Sequence, residues 1–209
     1  MDGDTTDKDK FYFLALGDSY TIGEAVKKEE SFPLQLSTKL NSVFQNKINT
    51  QIIATTGWRT DELVTAVEKE KLNNTYDFVT LLIGVNNQFQ KRDFLQYKEE
   101  FVQLLDIAVA LARGKTEKVV VLSIPDYAFT PFGKNKEGVS QGVDKYNVYA
   151  KSISISKKVD FINITDISRR GLEEPELVAS DGLHISGLVY KEVVERIFDM
   201  KFKDLKTLK

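Results

Sequence analysis

Short, nearly continuous runs of hydrophobic residues recur along the chain, separated by polar and turn-forming segments. Five such runs are present: Phe11–Leu16, Ile48–Ala54, Phe78–Ile83, Lys118–Ile124 and Val159–Ile164. Short runs rich in β-branched residues are typical of strands that are covered on both faces, as in parallel sheets. The pattern therefore predicts five strands, with the more polar run, Ile48–Ala54, at an edge of the sheet.

Between these runs, apolar residues recur at helical spacing, which predicts amphipathic helices. Ser31, Thr60, Asp93 and Ser186 precede four of the helical patterns and are expected to cap them. A weaker helical pattern covers residues 143–157. Alternating strands and helices favour right-handed crossovers, so the sequence predicts an α/β fold, a three-layer α/β/α sandwich around a five-stranded parallel sheet.

Composition and charge narrow the class of protein. The 209 residues suit one domain, and 42% hydrophobic and 29% charged residues are ordinary for a globular protein. We expect a flexible segment at 1–10, a single domain at 11–200 and a charged, solvated tail at 201–209. The net charge of −2 does not favour a nucleic-acid partner. No apolar run approaches the length of a membrane span, so the expected partner is a small molecule, and the oligomeric state stays open.

The first ten residues are polar and lack the apolar region of a signal peptide. As written, this start suits a cytoplasmic protein. It also resembles the flexible tether that follows a removed export signal, which would place the protein in the periplasm or outside the cell. The alternative is a plain disordered N-terminus, and the sequence leaves the compartment open.

Cysteine and histidine usage limits the chemistry. Cysteine is absent, which excludes disulfides, thiolate catalysis and cysteine-ligated zinc. Only one histidine, His184, is present, so any mechanism that needs an imidazole must use it. We expect no metal and no cofactor.

Polar residues follow the predicted strands, where ligands bind in an open parallel sheet. Four segments are placed there: Gly17-Asp18-Ser19-Tyr20, Thr56-Gly57-Trp58, Gly84-Val85-Asn86-Asn87 and, past a connecting segment, Ser180-Asp181-Gly182-Leu183-His184. Together they supply a hydroxyl, backbone amides, a carboxamide and an Asp–His pair. These are the groups that acyl transfer needs.

The expected roles follow from this chemistry. Ser19 is the predicted nucleophile, which needs an adjacent base, and His184 is the one imidazole available. Asp181, three residues earlier, can hold His184 Nδ1–H. The amides of Ser19 and Gly57 and the side chain of Asn86 are the predicted oxyanion donors.

Each of these residues also has a simpler interpretation. Ser19 could cap a helix, Gly57 could serve a positive φ, and the Asn86–Asn87 pair could be turn residues. The Asp181–His184 pair could lie on the surface or ligate a metal. At the level of function, the alternatives are a non-catalytic carbohydrate- or lipid-binding module and a phosphoryl-transfer enzyme, although the latter would need a glycine-rich phosphate loop that the chain lacks.

Aromatic residues lie close to these segments along the chain. Six are candidate substrate-binding residues: Tyr20, Trp58, Phe89, Tyr127, Phe129 and Phe132. If they wall an apolar pocket, medium acyl chains are favoured over acetyl. The alternative for each is ordinary packing.

The four segments, in this order, resemble the sequence blocks of the SGNH hydrolases, also called GDSL esterases and lipases. The matching residues are Gly17-Asp18-Ser19, Gly57, Gly84-Val85-Asn86 and Asp181-Gly182-Leu183-His184. The resemblance implies a flavodoxin-like sheet and hydrolysis of carboxylic esters or related acyl groups, with lysophospholipase and thioesterase activities open. It also implies the triad and oxyanion roles given above.

One position departs from the family pattern. The family usually has aspartate after the asparagine of the third block, whereas this chain has Asn87. That aspartate commonly supports the loop geometry by hydrogen bonds. Asn87 keeps an acceptor but loses the charge, so the departure bears on loop rigidity more than on the reaction class.

Overall fold

In a computed structural model, which describes residues 10–44, 47–70, 72, 76–134 and 136–204, five parallel strands form one sheet. The strands are β1 (Lys10–Gly17), β2 (Lys47–Ala54), β3 (Phe78–Leu82), β4 (Val119–Leu122) and β5 (Asp160–Ile162). Their order in the sheet is β2-β1-β3-β4-β5. This is the flavodoxin-like order, in which the chain reverses direction across the sheet between β1 and β3.

Eight helices connect and cover the strands in the described residues. They are α1 (Ser19–Ile22), α2 (Phe32–Phe44), α3 (Thr60–Lys69), α4 (Val85–Phe89), α5 (Phe94–Leu111), α6 (Val139–Ser156), α7 (Thr165–Ser168) and α8 (Gly187–Lys201). α2 contacts α8, and α5 contacts both α3 and α6. The sheet therefore lies between two helical layers, which confirms the predicted α/β/α sandwich.

The sheet interior explains why β1 and β3 read as continuous apolar runs. Every residue of β3 is buried, as are the last five of β1. In the parallel register, Leu16 pairs with Leu81 and Gly17 with Leu82. The two strands therefore end side by side, and the loops that follow them leave the sheet at the same level.

Several boundaries differ from the sequence prediction. Residue 10, assigned to the flexible segment, begins β1. Lys201 ends α8, and Phe202 is 4% exposed with its ring against Phe11, Phe78 and Phe198. The first residues of the predicted tail therefore belong to the core, because an aromatic ring is stabilised by burial. The rest of both predicted terminal segments, residues 1–9 and 205–209, lies outside the described residues.

Two of the predicted caps do not cap their helices through the side chain. Thr60 is the first helical residue of α3, and Arg59 precedes it as the N-cap. Ser31 directly precedes α2, but its hydroxyl donates to Lys28 O. Asp93 and Ser186 do cap α5 and α8. Among the described helices, none is long and apolar enough to cross a bilayer.

Candidate active site

Ser19 begins α1, directly after the turn that follows β1 at the carboxyl edge of the sheet. Asp18 is the N-cap of α1, and its Oδ1 accepts the Tyr20 amide at 3.0 Å. A side chain at Gly17 would overlap with Thr21 Oγ1 and the carbonyl of Leu82. The turn is therefore pressed against β3, which fixes Ser19 as the first residue of α1, with its amide among the helix-end donors that have no partner within the helix.

Asp181 and His184 lie in a short loop closed by its own backbone. Val178 and Ile185 form an antiparallel bridge, and the Ala179 amide donates to His184 O at 2.7 Å. Within the loop, Asp181 Oδ2 lies 2.6 Å from His184 Nδ1. Asp181 Oδ1 accepts the amides of Leu183 and His184 at 2.9 and 3.0 Å. These bonds fix the carboxylate against the imidazole.

The charge state of Asp181 is consistent with this geometry. Burial raises its pKa, but the bonds from His184 Nδ1 and from the two amides lower it by more, so the net shift of the pKa is downward. A carboxylate can only accept hydrogen bonds, so Nδ1 carries the proton and Nε2 is left as the acceptor. His184 is 7% exposed, and its ring centroid lies 5.1 Å from that of Tyr20.

The two loops that carry Asn86 and Gly57 contact each other. Asn86 Nδ2 donates to Trp58 O at 3.0 Å, which fixes the orientation of the carboxamide and uses one of its two N–H groups. Gly57 has a φ of 84°, and a Cβ built on it would meet nothing within 4 Å. The backbone conformation, and not crowding, therefore favours glycine there.

One cleft of about 120 Å³ joins these groups. Its lining residues are Ser19, Tyr20, Thr56, Gly57, Val85, Asn86, Phe89, Tyr127, Phe132, Leu183 and His184. The predicted nucleophile, the predicted base and the predicted oxyanion donors therefore line one cavity. They are Ser19, His184, Gly57 and Asn86. A larger surface groove, lined by Lys27, Glu176 and Lys191 among others, contains neither Ser19 nor His184.

The aromatic candidates divide into two groups. Tyr20, Phe89, Tyr127 and Phe132 line the cleft. Trp58 instead lines a separate surface hollow beside α3. Phe129 is half-buried, and it is not among the described residues that line the cleft.

The loop that carries Tyr127 and Phe132 is fixed to its surroundings. Its Asp126, fully buried, accepts Arg169 Nε at 3.0 Å and the Ala128 amide at 3.0 Å. The Phe132 amide donates to Gly182 O at 3.0 Å, which attaches this loop to the Asp–His loop. The aromatic residues of this loop and the Asp181–His184 pair are therefore positioned together.

Sequence reasoning missed three cleft residues, Thr56, Val85 and Leu183. Each is the direct neighbour of a predicted site residue, so adjacency was the available signal. In the described residues, no group of three or more His, Cys, Asp or Glu side chains is arranged to hold a metal ion.

Asp18, which precedes Ser19, has no contact with solvent. Burial raises the pKa of its carboxyl to about 7, against the opposing effect of the Tyr20 amide bond. Its second oxygen, Oδ2, has no hydrogen-bond partner among the described residues. The carboxyl therefore contributes to the turn as a cap, with one acceptor left over.

Comparison with known families gives a match over residues 15–191 to the model described as the GDSL-like Lipase/Acylhydrolase family. That range includes all four segments from which the site was built. No curated protein matches the chain.

Solved structures share the fold at low identity. A lipase/acylhydrolase from Enterococcus faecalis has a TM-score of 0.69 and 19% identity, over 94% of this chain and 96% of that one. The acetylxylan esterase Axe2 from Geobacillus stearothermophilus gives 0.70 and 17%, over 92% and 94%. TesA gives 0.70 and 13%, over 93% and 99%. These similarities show a common fold.

Proposed function

The chain belongs to the GDSL-like lipase/acylhydrolase family, and on that premise we propose that it is a serine esterase that hydrolyses carboxylic esters. Ser19 is the nucleophile, His184 the general base and acid, and Asp181 the group that orients His184. The oxyanion is bound by the Ser19 and Gly57 amides and by Asn86 Nδ2. The observation that carries the proposal is the 2.6 Å contact of Asp181 Oδ2 with His184 Nδ1 in a loop that lines the cleft of Ser19.

The reaction proceeds in two halves. His184 Nε2 takes the proton of Ser19 Oγ as this oxygen attacks the ester carbonyl, and the carbonyl oxygen becomes negatively charged. The preorganised donors stabilise that charge, and His184 returns the proton to the departing alcohol. Water then attacks the acyl-serine with the same base, which releases the acid and restores Ser19.

Asp181 stays ionised throughout. Its lowered pKa and its three hydrogen bonds favour the carboxylate, which stabilises the imidazolium that forms beside it. The bond of Asn86 to Trp58 O leaves the second N–H of the carboxamide for the oxyanion. This arrangement costs no reorganisation when charge develops.

The substrate proposal rests on the walls of the cleft. Leu183 and the rings of Phe89, Tyr127 and Phe132 make most of the lining apolar, and apolar walls favour an acyl chain. We propose acyl groups of about four to eight carbons, since each buried methylene contributes about 0.8 kcal/mol. Lysophospholipids and thioesters, with the same acyl group, are the alternative substrates.

The decisive experiment is labelling by a fluorophosphonate probe together with hydrolysis of 4-nitrophenyl butyrate. Ser19→Ala is expected to abolish both while retaining the wild-type circular dichroism spectrum. Ser180→Ala, which removes an exposed hydroxyl beside Asp181, is the matched control and should keep both. A folded Ser19→Ala protein that still hydrolyses the ester would refute the assignment.

Chain-length preference tests the substrate class separately. Across 4-nitrophenyl esters from acetate to octanoate, kcat/KM should rise to a maximum between about four and eight carbons. A steady decline from acetate upward would refute the apolar acyl pocket and leave the triad untouched.

A further inference from the structure

The mouth of the cleft carries an exposed aromatic pair. Phe89 and Phe132 are 47% and 41% exposed, and their ring centroids are 6.1 Å apart. Both rings also line the cleft of Ser19. Large apolar side chains left in water beside a binding cavity mark a surface that a ligand covers. An acyl chain that outgrows the small cleft would therefore lie across these two rings, which we call the phenyl rim.

A lysine ammonium lies on the phenyl rim. Lys136 Nζ is 3.1 Å from the centroid of the Phe132 ring and 5.6 Å from that of Phe89. In the described part of the chain, Lys136 makes no ion pair. An ammonium on a ring face is shielded from water on one side, and its remaining donors are directed away from that ring.

Along the chain, basic residues outnumber acidic ones near the phenyl rim, where Asp93 is the acidic residue within four positions of either phenylalanine. Three more basic residues lie within three positions of the two phenylalanines and make no ion pair with a described residue: Lys91, Arg92 and Lys134. The acidic neighbour of Lys136 along the chain is Glu137, which is exposed. This local excess contrasts with the net charge of −2 of the whole chain and favours an anion at the rim.

We propose that Lys136 and the phenyl rim form a subsite for an acyl group that ends in an anion. The preferred substrates are then monoesters of dicarboxylic acids, whose methylenes cross the phenyl rim and whose free carboxylate binds the Lys136 ammonium. This inference rests on the proposed esterase function, and it adds a charge requirement that the triad does not contain.

The test compares substrates of equal acyl length with and without the terminal charge. The pairs are 4-nitrophenyl hydrogen glutarate with pentanoate, and the hydrogen adipate with hexanoate. For the wild type, kcat/KM should be higher for the anionic ester than for the neutral ester in at least one of the two pairs. Lys136→Gln should lower the anionic-to-neutral ratio about fivefold, the effect of a partly exposed ion pair. Raising the salt concentration should lower the wild-type ratio as well.

Lys145→Gln is the matched control. Lys145 Nζ lies 4.0 Å from the centroid of the Phe94 ring, so this variant also removes an ammonium from a phenyl face, but Phe94 is not among the described residues of the cleft. The ratio should stay at its wild-type value. A Lys136→Gln ratio equal to that of the wild type would overturn the subsite, while continued hydrolysis of the neutral esters would leave the esterase proposal standing.

An anionic lipid surface is the other source of negative charge, and a vesicle arm separates it. Sedimentation with phosphatidylglycerol vesicles should show no Lys136-dependent binding. The subsite would be overturned, in favour of a membrane-docking rim, by two results together. Lys136→Gln would abolish binding to the vesicles, and it would leave the anionic-to-neutral ratio of kcat/KM unchanged.

A second inference comes from the position where the chain departs from the family pattern. Asn87 is fully buried, and its Oδ1 accepts the Thr60 amide at 3.1 Å. Its Nδ2 therefore faces Thr60 Oγ1, 2.7 Å away, and the Thr60 hydroxyl donates onward to Glu100 Oε2 at 2.5 Å. Every bond in this series has a fixed direction, because an amide N–H only donates and a carboxylate only accepts.

The series connects the two oxyanion loops. Thr60 begins α3 directly after the segment of Gly57 and Trp58, and Asn87 follows Asn86 in α4. We infer that Asn87 is a positioning residue, matched to Glu100, that holds Asn86 at the oxyanion. An aspartate at 87 would accept the Thr60 hydroxyl proton and leave Glu100 without its donor, with two carboxylates around one hydroxyl.

The direction of the series can be reversed by design. Asn87→Asp alone should lower kcat about tenfold with little change in KM, the size of one lost hydrogen bond. Adding Glu100→Gln should restore kcat, because the new carboxamide can donate to Thr60 Oγ1 while its oxygen still accepts Gln96 Nε2, which in the wild type bonds Glu100 Oε1 at 2.8 Å.

Glu100→Gln alone is the control and should also lower kcat. While its oxygen accepts Gln96 Nε2, its amide N–H is directed at Thr60 Oγ1, which already accepts Asn87 Nδ2. A double variant no better than Asn87→Asp would overturn the inference. So would an Asn87→Asp protein whose melting temperature falls while its kcat at 25 °C is unchanged, since the role would then be structural only.

Discussion

At the residue scale, the side chain of Asn86 is held in one orientation by a hydrogen bond. Its bond to Trp58 O fixes the carboxamide before substrate arrives. Asn86→Ala should lower kcat about 10²- to 10³-fold, because one oxyanion donor is lost. KM should change little, since the bond strengthens in the transition state. Steady-state kinetics with 4-nitrophenyl butyrate measure both, and a raised KM with an unchanged kcat would instead make Asn86 a residue for ground-state binding.

The raised pKa of Asp18 predicts that the free energy of unfolding depends on pH. Its pKa of about 7 in the folded protein lies above the ordinary 3.8. Between these values the folded protein holds a proton that the unfolded chain has lost. The stabilising contribution of Asp18 is therefore complete below about pH 4 and is lost as the pH rises through 7, with a slope of at most about 1.4 kcal/mol per pH unit.

The matched variant is Asp18→Asn, whose Oδ1 can still accept the Tyr20 amide. Urea unfolding of both proteins from pH 4.5 to 7.5 should give a shallower decline of the free energy of unfolding for Asp18→Asn. Parallel curves would show that Asp18 does not titrate in this range.

At the scale of elements, the β1–α1 turn depends on the absence of a side chain at Gly17. Gly17→Ala would place a Cβ against Thr21 Oγ1 and the carbonyl of Leu82, so α1 must move away from β3. We expect a loss of about 2 kcal/mol or more of stability and a large loss of kcat, since α1 begins with Ser19.

The control for that variant is Gly114→Ala. Gly114 has a φ of 74°, and a Cβ there meets nothing within 4 Å, so the cost is confined to backbone strain of about 1 kcal/mol. Chemical denaturation and ester hydrolysis measure both variants. Equal kcat values for Gly17→Ala and the wild type would contradict the tight turn.

The elements also show where sequence patterns stop being informative. All five strands were predicted, because each apolar run is bounded by turn-forming or polar residues. The helices α1, α4 and α7, of four or five residues, were not predicted, since one turn contains no repeat of the apolar period. The start of α6 at Val139 was missed because polar residues occupy most of its first turn.

For the whole molecule, the scarcity of histidine and cysteine gives a further prediction. The chain has one histidine and no cysteine, and the proposed mechanism assigns that histidine to proton transfer. Hydrolysis of 4-nitrophenyl butyrate should therefore persist after dialysis against EDTA. Loss of activity that a divalent cation restores would contradict a metal-free mechanism.

The site as a whole was partly accessible from sequence. The Ser19, Asn86 and His184 segments follow strand-like or loop signals, and the rule that parallel strands present their carboxyl ends together brings them to one edge. The Asn87–Thr60–Glu100 series was not accessible, because it joins residues 27 and 40 positions apart. Trp58 was a candidate by adjacency alone, and its ring lies beside α3 instead.

The bridge between Val178 and Ile185 closes the loop that holds both members of the proposed acid–base pair, Asp181 and His184. Within residues 178–185, the Ala179 amide donates to His184 O, and the amides of Leu183 and His184 donate to Asp181 Oδ1. Sequence changes in the sheet can therefore shift this loop relative to Ser19 without disturbing the Asp181–His184 contact inside it. In the proposed mechanism, selection can thus adjust the distance between Ser19 and His184 separately from the basicity of His184, two properties that are tied together when the acid and the base come from different strands.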